Sequence, residues 1–203
     1  KDSIIVPDDD EMFVVKRNNA KEVVSFNKIL NRVKKIGQTA NIQKLNYTSL
    51  AMKVIDQLYN NITTCQIDEL MAEQCASMSS IRPEYSVIAS QLIISNHQKN
   101  VKSSFSTNMN KLYNFKDKSG KHSPIVTKDF IDIVNNNKEL WDKLIDYQRD
   151  FLIDYFGFKT LERAYLMRIN GIIVERPQHM WLRVSIGIHG SNIEHIKESY
   201  NYM

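Results

Sequence analysis

MFVVKRNNAKEVVSFNKI, residues 12–29, decides the fold, because a strand pattern gives way to a helix pattern inside it. Met12 to Arg17 is rich in β-branched and apolar residues and reads as a strand. Asn18 and Asn19 can take the positive φ values of a tight turn, which asparagine tolerates better than most residues with a Cβ. Lys21 to Phe26 is the returning strand. Helical spacing then begins. Ile29, Leu30, Val33 and Ile36 fall on one face, with Asn27 as N-cap and Gly37 as stop.

An apolar helical stripe needs partners, and the following sequence supplies them. A second helix is predicted over 48–60, with Ala51, Val54, Ile55 and Leu58 on one face. A third runs over 64–79 with Ile67, Leu70, Met71, Cys75 and Met78, and a fourth from Pro83 to about Lys99 with Tyr85, Ile88, Ala89, Leu92 and Ile93. Four such stripes bury one another as a small bundle, with the hairpin across one end. Six glycines and four prolines in 203 residues leave long uninterrupted helical stretches, so the fold class is mainly α.

The texture changes near 100–106, where we place a domain boundary. Residues 100–124 have turn and loop character. Helices are expected over 127–136, with Thr127 as N-cap, and over 138–149. YLMRI, Asn170-Gly171 and IIVER make a strand–turn–strand signature. Pro177 suits the first turn of a helix over 177–189, and Gly190 can end it. Ser191 and Glu194 read as the capping box of a last helix that runs to Met203. A chain that ends inside a helix suggests a piece of a larger protein.

Composition narrows the function. A chain of 203 residues makes one large or two small domains, and 42% hydrophobic with 25% charged residues is globular. No run of about 18 apolar residues exists to span a membrane. The first eleven residues, KDSIIVPDDDE, read as a disordered acidic tail and lack the features of a signal peptide. The net charge of +4 is spread along the chain as solvated helix faces rather than gathered into a nucleic-acid stripe. The two cysteines, Cys65 and Cys75, form no CxxC pair. They read as structural thiols in a reducing compartment and exclude a cysteine-type zinc site.

One group of residues suggests chemistry. Lys16 and Arg17 end the first strand, Lys28 begins the next helix, and Lys99 ends the fourth. Together they can converge on one anion. Glu22 and Asp68 can accept hydrogen bonds from a ribose or a base, and Thr64 stands at a helix N-terminus, where anions are favoured. Lysines at a strand edge also serve simply to protect it. The remaining polar groups read as structural. His179 is expected to be packed or capped, and His122 is a loop residue without a metal partner. Arg149–Asp150 and Glu162–Arg163 are expected to pair. Phe151, Tyr155, Phe156 and Phe158 read as core packing rather than a stacking platform.

Val14-Val15-Lys16-Arg17-Asn18-Asn19, then Glu22, then Phe26-Asn27-Lys28-Ile29 resembles the start of an ATP-cone, whose pattern is V-x-K-R-D-G followed by F-D-K-I. Here Asn-Asn replaces Asp-Gly, and Asn27 replaces the aspartate, with turn and capping chemistry kept. Thr63-Thr64 to Asp68-Glu69-Leu70, Arg82-Pro83-Glu84-Tyr85 and Gly120-Lys121-His122-Ser123-Pro124 also fall at family spacing. Further along, Tyr155 to Arg163 (YFGFKTLER), Glu175 to Met180 (ERPQHM) and Arg183 to His189 (RVSIGIH) resemble the large subunit of the eukaryotic-type class I ribonucleotide reductases. The similarity covers about residues 12–203.

The resemblance implies a four-helix ATP-cone over 12–103, capped by a small β-hairpin or sheet. A helical part of the reductase core would follow over 104–203, leading toward a ten-stranded α/β barrel beyond this sequence. The effectors would be ATP as activator and dATP as inhibitor, with Mg2+. Lys16 and Arg17 match the phosphate-binding pair. Glu22, Val23, Val24, Ser25, Phe26, Asn27 and Lys28 match the segment lining the nucleotide, Thr64 and Asp68 the third-helix contacts, and Lys99 the basic residue closing the phosphate side. The family reduces ribonucleoside diphosphates by thiyl-radical chemistry on cysteines that neither Cys65 nor Cys75 matches, so this piece should be inert alone. The expected partners are a radical-generating small subunit and further copies of the large subunit, as a dimer or a dATP-induced hexamer. No nucleic-acid or membrane partner is expected, and the location is cytoplasmic. Two alternatives stand beside this reading. A transcriptional repressor with a cone would need zinc-ribbon CxxC pairs, which are absent. A degenerate cone would serve only as a helical scaffold.

Overall fold

In the computed structural model, which describes residues 11–42 and 44–203, β1 (Phe13–Val15) pairs antiparallel with β2 (Lys21–Val23), with Val14 opposite Glu22. Only Asn19 of the Asn-Asn pair has positive φ, at 63°. Its N–H donates to the Lys16 carbonyl and the Lys16 N–H donates to Ala20 O. That is a three-residue turn with one left-handed position, which asparagine fills without glycine. The acidic tail predicted for 1–11 falls, except for Glu11, outside the described residues.

A third strand, β3 (Ile62–Thr63), pairs parallel with β1 on the side away from β2, giving the order β2-β1-β3. This strand was not foreseen. It is two residues long and draws its meaning from a partner 48 positions away. It leads directly into α3 (Thr64–Ser77), whose N-cap Thr63 forms a capping box with Gln66.

The helices preceding and following it are α1 (Phe26–Thr39), α2 (Tyr47–Ile55) and α4 (Glu84–Asn100). Ile29, Val33 and Ile36 of α1, Leu50 and Val54 of α2, Met71 and Cys75 of α3, and Ile88 and Leu92 of α4 are all buried. Burial pushes the Cys75 thiol up to about 12, as suits an inert packing group. Two local expectations are corrected. The cap of α1 is Ser25, and Asn27 lies inside the helix. Gly37 does not stop α1 but is buried within it, because a Cβ there would meet the Tyr47 hydroxyl at 1.9 Å. The helix runs to Thr39, and the glycine lets the ring of Tyr47 lie against the backbone. Helix α2 also ends earlier than expected, at Ile55 rather than 60.

The chain divides into two compact units, one ending at Asn96 and one beginning at His97. In the second, residues 105–113 form a helix, α5 (Phe105–Tyr113), where loop was expected. Ser104 caps it, and Phe105, Met109 and Leu112 enter the core at helical spacing. It packs on α6 (Lys128–Asn136) and α7 (Lys138–Leu144), the latter shorter than expected and followed by a 3-10 turn over Tyr147–Leu152. Helix α8 (Tyr155–Ala164), capped by Asp154, was not predicted as a helix. Of the aromatic group around it, Phe158 is fully buried and Phe156 is exposed.

Two short strands, β4 (Arg168–Ile169) and β5 (Ile172–Ile173), flank Asn170 and Gly171, both at positive φ. Helix α9 (Pro177–His189) begins with proline and ends at Gly190, as expected. Helix α10 (Ile193–Tyr202) is capped by Asn192 through the His195 N–H, not by Ser191 with Glu194, and packs on α9. Among the described residues, no helix is long and apolar enough to cross a membrane.

Polar groups buried in this second unit are compensated individually. Glu175 accepts from Arg183 and from the Met167 N–H. Arg176 donates to the carbonyls of Gln98 and Val101 and lies over the Tyr147 ring. Asp150 accepts from Gln98 and the Gln178 N–H, and burial raises its carboxyl above the usual range. It does not pair with Arg149, which reaches the Asn201 carbonyl. Glu162 pairs with Lys159 rather than Arg163. His179 is buried as expected. Its Nδ1 accepts from the Arg176 N–H, and its Nε2 meets the Tyr147 hydroxyl at 2.7 Å.

Two predictions follow from this packing. Gly37→Ala should destabilise the chain by about 1–3 kcal/mol, because Tyr47 is buried and its hydroxyl is tied to the Ile42 carbonyl. An unchanged denaturation midpoint would contradict the contact. The second concerns acid. Burial pushes His97 down to about 4 and His179 to about 3, from an ordinary 6.5. The unfolded chain therefore takes up protons that the native state refuses, so their contribution to stability is full above pH 6.5 and is lost as pH falls toward 4. Asp150 acts in the opposite sense. The melting temperature should drop over that window, and His97→Gln should flatten the drop. A slope the same in variant and parent would refute the assignment.

Candidate functional site

Three segments of the first unit bring charge together. The end of β1 and its turn carry Lys16 and Arg17. Strand β2 carries Glu22, on the same face as buried Val14. The first turn of α1 carries Lys28, and α3 carries Thr64 at its first position and Asp68 one turn later. The capping box of α3 fixes where its N-terminus begins, and Asp68 then falls one turn in, on the buried side.

Two ion-pair groups result. Glu22 is bracketed by Lys16 and Lys28, both of which pair with it. Asp68, 5% exposed, is held by Arg32 from α1, whose Nε and Nη2 donate to its two oxygens at 3.1 and 3.3 Å. Arg17 reaches the same carboxylate at 3.7 Å, and its guanidinium also donates to Thr64 Oγ1 and Asn96 Oδ1. Asn96 in turn donates to the Cys65 carbonyl, and Ser95 Oγ accepts from Arg32 at 3.1 Å. Each group sets two cations against one carboxylate, and in the second Arg17 also reaches Thr64 at the start of α3, where the helix dipole favours an anion.

The other residues singled out in the sequence fall as follows. Val23 lies on β2 with its side chain exposed. The Val24 N–H donates to the Met12 carbonyl, and Ser25 is the N-cap of α1. Phe26 is half-buried at the first position of α1, and Asn27 is exposed. Lys99 is exposed on the last turn of α4, in the second unit. Arg32, Ser95 and Asn96 were missed. Arg32 had a legible signal, since it stands four residues after Lys28 on the same face of α1. Ser95 and Asn96 had none, because their roles arise only through contact with arginines far away in sequence.

Such a cluster can bind a polyanion, with the arginines and lysines as donors and the two carboxylates as acceptors for hydroxyl or amino groups. Among the described residues, no group of three or more His, Cys, Asp or Glu side chains could hold a metal ion. Glu22 and Asp68 are each engaged by two cations.

Comparison with known proteins adds what geometry cannot. The ATP cone domain matches residues 12–100, and the all-alpha domain of ribonucleotide reductase matches residues 151–203. Over 193 residues, 95% of this chain, the sequence is 46% identical to the ribonucleoside-diphosphate reductase large subunit of Monkeypox virus, 25% of which is covered. Over the same share of this chain it is 42% identical to the large subunit of Danio rerio and 39% identical to large chain 2 of Saccharomyces cerevisiae, covering 24% and 22% of them. The chain thus spans about a quarter of the length of the curated relatives it matches. Carrying both domain signatures in one sequence, and aligned with these proteins through nearly all of its length, the chain belongs to the ribonucleoside-diphosphate reductase large-subunit family, as an ATP cone with its adjoining helical region.

Proposed function

We propose that this chain is the allosteric region of a ribonucleotide reductase large subunit, binding ATP as activator and dATP as inhibitor at the charged cluster of the first unit. The observation that carries this reading is the surplus of cations over carboxylates in the two ion-pair groups built from Lys16, Arg17, Lys28 and Arg32, all inside the segment that matches the ATP cone. In this reading Lys16 and Arg17 take the phosphates, which bring Mg2+ with them. The segment Glu22–Lys28 lines the nucleotide, with Thr64 and Asp68 contributing from α3. The whole protein would reduce ribonucleoside diphosphates in the cytoplasm, with a radical-generating small subunit and in effector-dependent oligomers.

Asp68 has a physical use here. ATP and dATP differ by one hydroxyl, and a buried acceptor left unpaired costs about 1–3 kcal/mol, or roughly tenfold to a hundredfold in affinity. We infer that Asp68 takes part in that distinction.

One observation favours the scaffold alternative. Each cation named in the cluster already has a carboxylate partner, so the group could serve as a closed ion-pair network. Isothermal titration with ATP, dATP and GTP separates the readings. Saturable binding of the two adenine nucleotides is expected, lost in the double variant Lys16→Glu/Arg17→Glu while its circular dichroism is unchanged. Absence of binding to the parent chain would leave the cluster as scaffold. Asp68→Asn should alter the ratio of ATP to dATP affinity, and an unaltered ratio would remove Asp68 from the discrimination.

A further inference from the structure

We propose that Arg32 is a positioning residue that sets effector selectivity by fixing the orientation of the Asp68 carboxylate. This rests on the nucleotide reading above and adds to it a residue that does not itself need to touch the ligand.

Asp68 is 5% exposed, so its charge must be compensated by protein groups. Two arginines face it, and they differ in kind. Arg32 meets it with a planar fork, Nε to one oxygen at 3.1 Å and Nη2 to the other at 3.3 Å. Arg17 stands at 3.7 Å, beyond hydrogen-bond length, and donates to Thr64 and Asn96. Arg17 therefore supplies charge, whereas Arg32 supplies direction. A two-point contact fixes the plane of a carboxylate, which a single ammonium cannot do.

Arg32 is itself held. Its Nη2 also donates to Ser95 Oγ at 3.1 Å, and its side chain is only 23% exposed. The fork is thus pinned from α3 on one side and α4 on the other. A carboxylate accepts along about four directions that lie in its own plane, and the fork fixes that plane. With the plane fixed, a ligand hydroxyl is read along a fixed line. Reading one hydroxyl requires such a line. A carboxylate free to rotate would satisfy itself with water or with a neighbouring donor in either complex, and the difference between the two nucleotides would shrink.

The division of labour between the two arginines is what can be measured. Phosphates are common to ATP and dATP, so loss of a phosphate contact weakens both alike and leaves their ratio unmoved. Loss of carboxylate orientation changes the ratio.

The test is calorimetric titration of the full 203-residue chain with ATP and with dATP, comparing parent, Arg32→Lys and Ser95→Ala. Arg32→Lys keeps the charge and removes the fork. The ratio of the two dissociation constants should move toward one by about fivefold or more in Arg32→Lys, and in the same direction by less in Ser95→Ala. A ratio unchanged in a folded Arg32→Lys variant, or equal weakening of both nucleotides, would overturn the proposal. If Arg32→Lys does not fold, the ratio in Ser95→Ala decides the question alone. A parent chain that binds neither nucleotide would fail the nucleotide reading itself. A parent that binds both with the same affinity would fail this inference only.

Discussion

A carboxylate buried as deeply as Asp68 cannot stand alone, and much of the first unit is arranged around that requirement. Left unpaired, it would cost several kcal/mol. Its partners come from the turn after β1 and from α1, and these partners are themselves anchored to Ser95 and Asn96 of α4. The aliphatic stripes explain why the helices pack at all. They do not specify which residue of α1 must face which residue of α3, since Ile, Val and Leu side chains tolerate sliding. The fork from Arg32 to Asp68 does specify it, because it works only at one register. The same cluster is also where cations exceed carboxylates, so the device that orders the fold leaves a surface suited to a polyanion.

The second unit uses the same principle without leaving a surplus. Glu175, Arg176, Gln178 and His179 are all buried, and each is matched with a partner. Asp150 is bound by the neighbours Gln98 and Gln178. The ERPQHM string that resembles the reductases so closely is therefore a polar core rather than exposed chemistry. Its residues fix the start of α9 and tie it to the segment 98–103. A strict sequence pattern is the natural result, since each donor there has its own fixed acceptors and little room for a substitute.

Much of this was legible before any coordinates. The β1–β2 hairpin, the stripes of α1 to α4, the Asn170-Gly171 turn and the proline start of α9 follow from local rules, and they form. What failed, failed for identifiable reasons. Strand β3 is too short to carry a pattern. Helix α5 was hidden by serines and asparagines, although Ser104 and the spacing of Phe105, Met109 and Leu112 marked it. Gly37 read as a stop because its partner Tyr47 lies on another helix. Asn27 and Ser191 were chosen as caps over Ser25 and Asn192, a difference of one or two residues that depends on backbone angles. In the charged cluster, Lys16, Glu22 and Lys28 could be associated from local sequence. The bonds from Arg32 to Asp68 and Ser95 and from Arg17 to Asn96 span 36, 63 and 79 residues, and only folding brings those side chains together.

In the proposed reading, Asp68 and Arg32 act as one preformed unit beside a phosphate site. A crystal structure of the chain with dATP tests that most directly. The phosphates should lie against Lys16 and Arg17, the sugar next to Asp68, and the two-point contact from Arg32 to Asp68 should be intact. A nucleotide bound elsewhere, or bound at this cluster with Arg32 released from Asp68 to hold a phosphate, would contradict it.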